Sequence, residues 1–349
     1  MRTIALALAL AASLAAPSAH AQSKCAPSDK ACLFAELKAH PVRTQAFWKA
    51  ALARPVAERF GPAPPELVAF LRLDNLANGF PEKPVASVLA PEFVADLKGA
   101  IADLPAPVKR LLDASFAGVW LVDDLGGTGY TDLYYARGKD PAGAYVVLDA
   151  KVLARHKANA WATWKENTPF KPAAGWALEA RLEPDATDDR RGAIRYILMH
   201  ELGHVLAARG GIHPLWDRPL KDVPESARFA FQELSWRIER KAGRYVSLTA
   251  ALFPERDNVV YYMGPKLDGA QMAAVYANLA KTDYPTLYAA TSPGDDFAES
   301  FASFVHVKML GKPWSIAVRK DGKPAATLGS CWDEPRCAAK RQLLEALLK

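Results

Sequence analysis

The chain has 349 residues, half of them hydrophobic, with a formal charge of +6. Its Lys and Arg are scattered among Asp and Glu rather than gathered in blocks, a pattern of ordinary solvated surface that excludes a nucleic-acid footprint. The length allows one large core or two modest ones, and no stretch reaches 18 uninterrupted apolar residues, as a membrane span would require.

Residues 1–21 read as a secretory signal peptide: Arg2 gives a basic start, Ile4 to Ala16 a short Ala/Leu-rich core, and Ala19-His20-Ala21 a small-x-small cleavage site. The mature protein is therefore expected to be exported, to a periplasm or to the medium. Gln22, Ser23 and Lys24 do not resemble the residues before a lipid-modified cysteine, so no stable membrane anchor is expected. The four cysteines fall into two local pairs, Cys25 with Cys32 and Cys331 with Cys337. Three connectivities are open; the two local bridges are preferred, and a second zinc site is disfavoured because neither pair has C-x-x-C spacing.

Residues 22–114 form a helical N-terminal lobe in this reading, with helices over 45–60, 66–73, 91–101 and 107–114 separated by proline-rich breaks. No catalytic constellation lies there. After Ala114 the apolar period shortens, and strands are expected over 117–122, 130–135 and 145–148. The Gly-rich segment Asp123 to Gly129 is a turn, with a weak calcium site as its alternative, because two Asp at its mouth would repel phosphate. A helix over 149–164 follows. The alternation from Trp176 to Glu183 then predicts a strand with one polar side, which is either a plain sheet edge or a place for an extended peptide to pair.

The segment Tyr196 to Leu206, YILMHELGHVL, carries H-E-x-x-H. Residues four apart share a helix face, so His200 and His204 can both reach one zinc ion at about 2.0–2.1 Å. Glu201 points about 100° further round and can hold a water beside the metal. Thr187, Asp188 and Asp189 can cap this helix, and Gly210-Gly211 stop it. Further helices are expected over 225–240 and 269–280 and a strand over 259–263. Ser292 and Pro293 then start another helix, burying Phe297, Phe301 and Phe304. On it Asp295 and Glu299 lie four apart on one face, and one of them can supply the third metal ligand.

The pairing of H-E-L-G-H with Y-A-A-T-S-P-x-[acid]-x-F-A-E-x-F resembles the gluzincin metallopeptidases, most closely the anthrax lethal factor and Pro-Pro endopeptidase group and Mlc titration factor A. The resemblance covers Tyr196 to Leu206 and Tyr284 to Phe304. It implies an α+β, helix-rich, zincin-like domain over residues 115–349: a one-zinc endopeptidase acting on a peptide or protein, with Glu201 as general base. In that family a tyrosine seven residues before the glutamate ligand donates to the oxyanion; Tyr288 and Asp295 occupy those positions, with Tyr284 as understudy to the tyrosine. Glu299 matches the acid that, in lethal factor, fixes a zinc-bound histidine through its other ring nitrogen. Asp295 stands where the family has Glu and is one methylene shorter, so Glu299 can be the ligand instead, with Asp295 reduced to a capping-box member; Asp296 is the weakest choice. The same departure leaves a second reading, a zinc-containing binding or scaffold protein without turnover. His213 and His306 are expected to be structural or surface residues.

Overall fold

A computed structural model describes residues 24–138 and 140–349; the expected signal peptide lies outside the described residues. The chain opens with α1 (Lys30–Ala39), α2 (Gln45–Leu52), β1 (Phe60–Pro62) and α3 (Pro65–Asn78). Thr44 caps α2 by accepting from Phe47 N, and Gly79 ends α3 at φ 80°, a left-handed conformation that glycine adopts without penalty. Next come β2 (Val85–Ala86), α4 (Pro91–Ala102), α5 (Ala106–Leu112), and the long strands β3 (Phe116–Asp123), β4 (Gly129–Tyr135) and β5 (Pro141–Asp149).

These strands form a mixed sheet in the order β1-β3-β5-β4, with β2 paired to β3. β1 and β5 run parallel to β3, while β4 is antiparallel to β5 and stands at the sheet's end. Both faces are covered. On β5, Tyr145 and Val147 join the core formed with α1–α3, where Trp48 stacks on Tyr145 at 4.7 Å. Ala144, Val146 and Leu148 alternate with them into the larger core on the opposite face. Because β1 and β2 pair with β3, the expected boundary near residue 114 falls inside a shared sheet.

The remainder comprises α6 (Ala150–Leu153), α7 (Ala158–Asn167), β6 (Phe170–Lys171), β7 (Trp176–Arg181), α8 (Arg190–Ala207), α9 (Gln232–Ser235), β8 (Trp236–Glu239) and β9 (Arg244–Ser247). It continues through β10 (Leu267–Asp268), α10 (Met272–Leu279), α11 (Pro293–Phe304), β11 (Ser315–Lys320), β12 (Lys323–Gly329) and α12 (Ala338–Leu347). The class is α+β. Both local disulfides form, Cys25 to Cys32 and Cys331 to Cys337, in keeping with an oxidising, exported environment. Among the described residues no helix is long and apolar enough to cross a membrane.

Three expected elements differ. The helix over 149–164 is divided, because Asp149 ends β5 and its carboxylate caps α6 at Val152 N, after which the chain turns before α7. The helix over 225–240 shrinks to the single turn α9, since Trp236 to Glu239 pair with Arg244 to Ser247 as a hairpin closed by Gly243 at φ 62°. Residues 259–263 form no strand: Tyr262 is left-handed at φ 65°, and the tyrosines there turn inward, Tyr261 donating to Glu166 Oε2 at 3.0 Å.

Helix α8 is buried on nearly all sides. Asp189 caps it, accepting from Gly192 N at 2.7 Å, and Arg190, Arg191 and Arg195 tie its first turns to Asp96 and Asp103 of the α4 region. Its other half packs on α11 at very short range. A Cβ on Gly203 would stand 2.7 Å from Ala298 Cα, a backbone atom that cannot swing aside. Gly203→Ala gains about 1 kcal/mol of helix propensity but forces the two helices apart at a cost of about 1–3 kcal/mol, so a net loss is expected. Urea unfolding of the variant should show a lower midpoint and, in parallel, weaker zinc binding.

Candidate metal centre

The α8–α11 contact brings the two blocks of the sequence together. His200 Nε2 and His204 Nε2 are 3.2 Å apart, and Asp295 Oδ1 lies 3.8 Å from His204 Nε2. One ligand atom from each of the three residues falls within 4.8 Å of the others. Two ligands of a tetrahedral zinc at about 2.0–2.1 Å would be separated by about 3.3 Å, so the histidine pair already has the spacing that one ion demands.

Asp295 reaches the site despite its short side chain because its other oxygen is anchored. Oδ2 lies 2.8 Å from both Thr291 Oγ1 and Ser292 Oγ, while Ser292 Oγ accepts from Asp295 N at 3.0 Å as the helix cap. Asp295 thus braces the Ser292 hydroxyl of the cap with one oxygen and faces His204 with the other. Asp296 turns the other way and is neutralised by Lys340 at 2.6 Å, with Trp236 Nε1 donating to it at 3.0 Å.

Glu299 sits behind the histidines. Its Oε1 is 3.0 Å from His200 Nδ1, within ion-pair reach though not in line for a well-directed hydrogen bond, and 2.8 Å from Lys165 Nζ. Burial alone would raise its pKa, but Lys165 and His200 overcome this and hold the carboxyl well below the usual range. A carboxylate at Nδ1 leaves the His200 Nε2 lone pair for a metal. Lys165 itself is buried between Glu299 and Glu166 and lies 4.6 Å from the Tyr288 ring centre. Nothing in its sequence neighbourhood marks it, since a lysine on an amphipathic helix normally faces water.

Glu201 points towards β4. Thr131 Oγ1 donates to its Oε2 at 2.6 Å, and a Cβ on Gly129 would stand 2.3 Å from its Oε1. Burial raises the Glu201 pKa, opposed by His200 and Thr131. Tyr288 stacks on His200 with ring centres 5.4 Å apart and planes 19° from parallel, backed by Tyr261 at 4.6 Å. Tyr284, the understudy, is fully buried and bonded to Ser247 Oγ at 2.8 Å, with no part in the site.

Two cavities meet here, of about 560 and 500 Å³, sharing Gly129, Tyr130 and Tyr288. The first is walled by His204, His213 and residues 214–220, the second by Leu71, Asp74 and Asn75 of α3 together with residues 259–263. The strand beside the histidines is therefore β4, whereas β7 pairs with β11 and borders a separate cavity with α7. His213, expected to be structural or at the surface, lines the metal cavity; His306 is buried and structural, its Nε2 2.8 Å from Leu182 O. The two Asp of the Gly-rich turn are occupied, Asp123 by Ser87 Oγ and Asp124 by Lys83 N.

Compared with known proteins, the chain matches no family model, no curated protein and no solved structure. The donor set itself distinguishes the two acids. Glu299→Gln should weaken zinc binding by about 10–100-fold, the usual cost of losing a partner behind a ligand. Asp295→Ala should weaken it further. Competition against a chromogenic chelator gives both constants, and the reverse order would make Glu299 the ligand.

Proposed function

We propose that the protein is a zinc-dependent endopeptidase of gluzincin type, with His200, His204 and Asp295 as metal ligands. The observation that carries this reading is the convergence of those three donors with a separately held carboxylate, Glu201, at the junction of two cavities. Zinc at that position would acidify a water and polarise a substrate carbonyl.

The chain's own residues supply the rest. Thr131 fixes Glu201 Oε2 and leaves Oε1 towards Gly129 and the cavity, where it can take the proton of the attacking water and pass it to the leaving nitrogen. Burial raises the basicity of this carboxylate towards what that task requires. Tyr288, whose ring packs against His200 and Tyr261, borders both cavities, and its hydroxyl is the candidate donor to the developing oxyanion. Lys165 keeps Glu299 charged and directed at His200, which orients that imidazole.

The first cavity takes in His200 and His204 and the second opens beyond Gly129, Tyr130 and Tyr288, so the two together leave room for chain past the site, which favours cleavage within a peptide over removal of a terminal residue. The outer edge of β4 beside Glu201, rather than β7, is the strand edge positioned for main-chain pairing with an extended substrate. The scaffold reading drew on Asp295 being short; the anchoring of Oδ2 and the approach of Oδ1 to His204 Nε2 at 3.8 Å support the ligand role that the hydrolase reading needs.

Two variants test this reading. Glu201→Gln should retain one zinc and lose hydrolysis of a peptide library read by mass spectrometry; hydrolysis at the original rate would remove Glu201 from the mechanism. Gly129→Ala places a methyl where Glu201 Oε1 stands, so hydrolysis should drop by about 10²-fold, the effect of an ångström-scale misplacement. Zinc content and unfolding midpoint should stay near the wild-type values, because the Glu201 side chain can swing away.

A further inference from the structure

His213 begins the loop that roofs the first cavity, and it is 3% exposed. Its Nδ1 lies 2.7 Å from Pro214 O. A carbonyl only accepts, so Nδ1 carries the proton and Nε2 carries a lone pair. That Nε2 is buried and has no hydrogen-bond partner. Leaving a buried polar atom unsatisfied costs about 1–3 kcal/mol, which makes an orphan beside a reactive site a sign of a missing ligand.

The position of the orphan is specific. A Cβ on Gly294 would stand 3.7 Å from His213 Nε2 and 3.8 Å from His204 Cε1, so the atom faces the rim of the cavity next to a metal ligand. Trp216 packs near both rings, with centres 6.1 Å from His204 and 6.2 Å from His213, and holds the loop there. His213 is outside the set of donors gathered within 4.8 Å, so it is not placed as a further ligand. Burial keeps the ring neutral. A neutral imidazole with Nδ1 protonated has one capacity left at Nε2, which is to accept.

We propose that His213 contacts the substrate directly, its Nε2 accepting a hydrogen bond from a backbone N–H that flanks the scissile bond of a bound peptide. This rests on the site being a peptide hydrolase, and it gives that site a fixed acceptor in addition to the hydroxyl of Tyr288 and the Lewis acidity that the metal would supply. A substrate whose N–H is absent at the matching position leaves Nε2 unpaired and binds less well.

The test uses a phosphinic analogue of the peptide cleaved best in a library digest, prepared with each N–H flanking the phosphinate replaced in turn by an ester oxygen. Calorimetry on the zinc-loaded wild type should show a loss of about tenfold at one position. His213→Phe should bind the parent analogue about tenfold more weakly and be indifferent to the replacement at that position, with zinc content unchanged. His213→Gln, whose amide oxygen can accept, should recover part of the preference. An N–H preference that persists in His213→Phe overturns the proposal while leaving the hydrolase reading intact, as does a zinc X-ray absorption spectrum showing three histidine nitrogens. If no library peptide is cleaved, or no analogue binds the zinc-loaded protein, the hydrolase reading falls and this proposal falls with it.

Discussion

The site depends on how closely α8 and α11 approach. Gly203 lies between the two histidines and faces Ala298, and the lack of a side chain at one and a single methyl at the other let the two backbones approach so closely that a Cβ on Gly203 would stand 2.7 Å from Ala298 Cα. Interaxial distances in packed helices are set by the side chains at the contact, and small residues there allow a close one. That closeness allows an aspartate to do from the first turn of α11 what a longer side chain would do from further away. It also explains why the helix is buried all round, since one side meets the sheet through β4 and β5 and the other meets α11.

Burial of this kind obliges the charges around the histidines to balance. Glu299, Lys165 and Glu166 form a buried series in which Lys165 lies 2.8 Å from one acid and 3.7 Å from the other, and Tyr261 and Tyr276 donate to Glu166 at 3.0 and 2.8 Å. Removing one member of such a set costs about 3–5 kcal/mol, because a charge is left without compensation in a dry interior. Lys165 and His200 hold Glu299 charged, while burial raises the Glu166 carboxyl against the pull of Lys165, so this series sets the charge presented to His200. Tyr261 also packs on Tyr288 and lines the second cavity, so the support of Glu166 and part of the aromatic wall come from one residue.

Much of this was legible in the sequence where a short-range rule applies. The H-E-x-x-H spacing, the Ser292-Pro293 helix start and the pairing of cysteines close in the chain all express geometry within a few residues. The structure places His200, His204 and Asp295 together as those rules suggest. What could not be read depends on distant pairing. The 225–240 segment has a helical pattern yet gives its last residues to a hairpin with 244–247, and β-pairing is decided by partners rather than by local propensity. Thr131 and Lys165 reach the site from separate parts of the chain with nothing in their neighbours to announce it. His213 carried a faint signal in lying just past the glycine stop of the metal helix, where a loop returning over the site would begin.

The central claim is that His200, His204 and Asp295 hold one metal ion. Anomalous diffraction at the zinc edge, from crystals of the purified protein, tests it most directly. The account predicts one strong peak about 2.0–2.1 Å from His200 Nε2, His204 Nε2 and an Asp295 oxygen, with Glu299 remaining on His200 Nδ1. No peak after zinc loading, or a peak with Glu299 in place of Asp295, would contradict it.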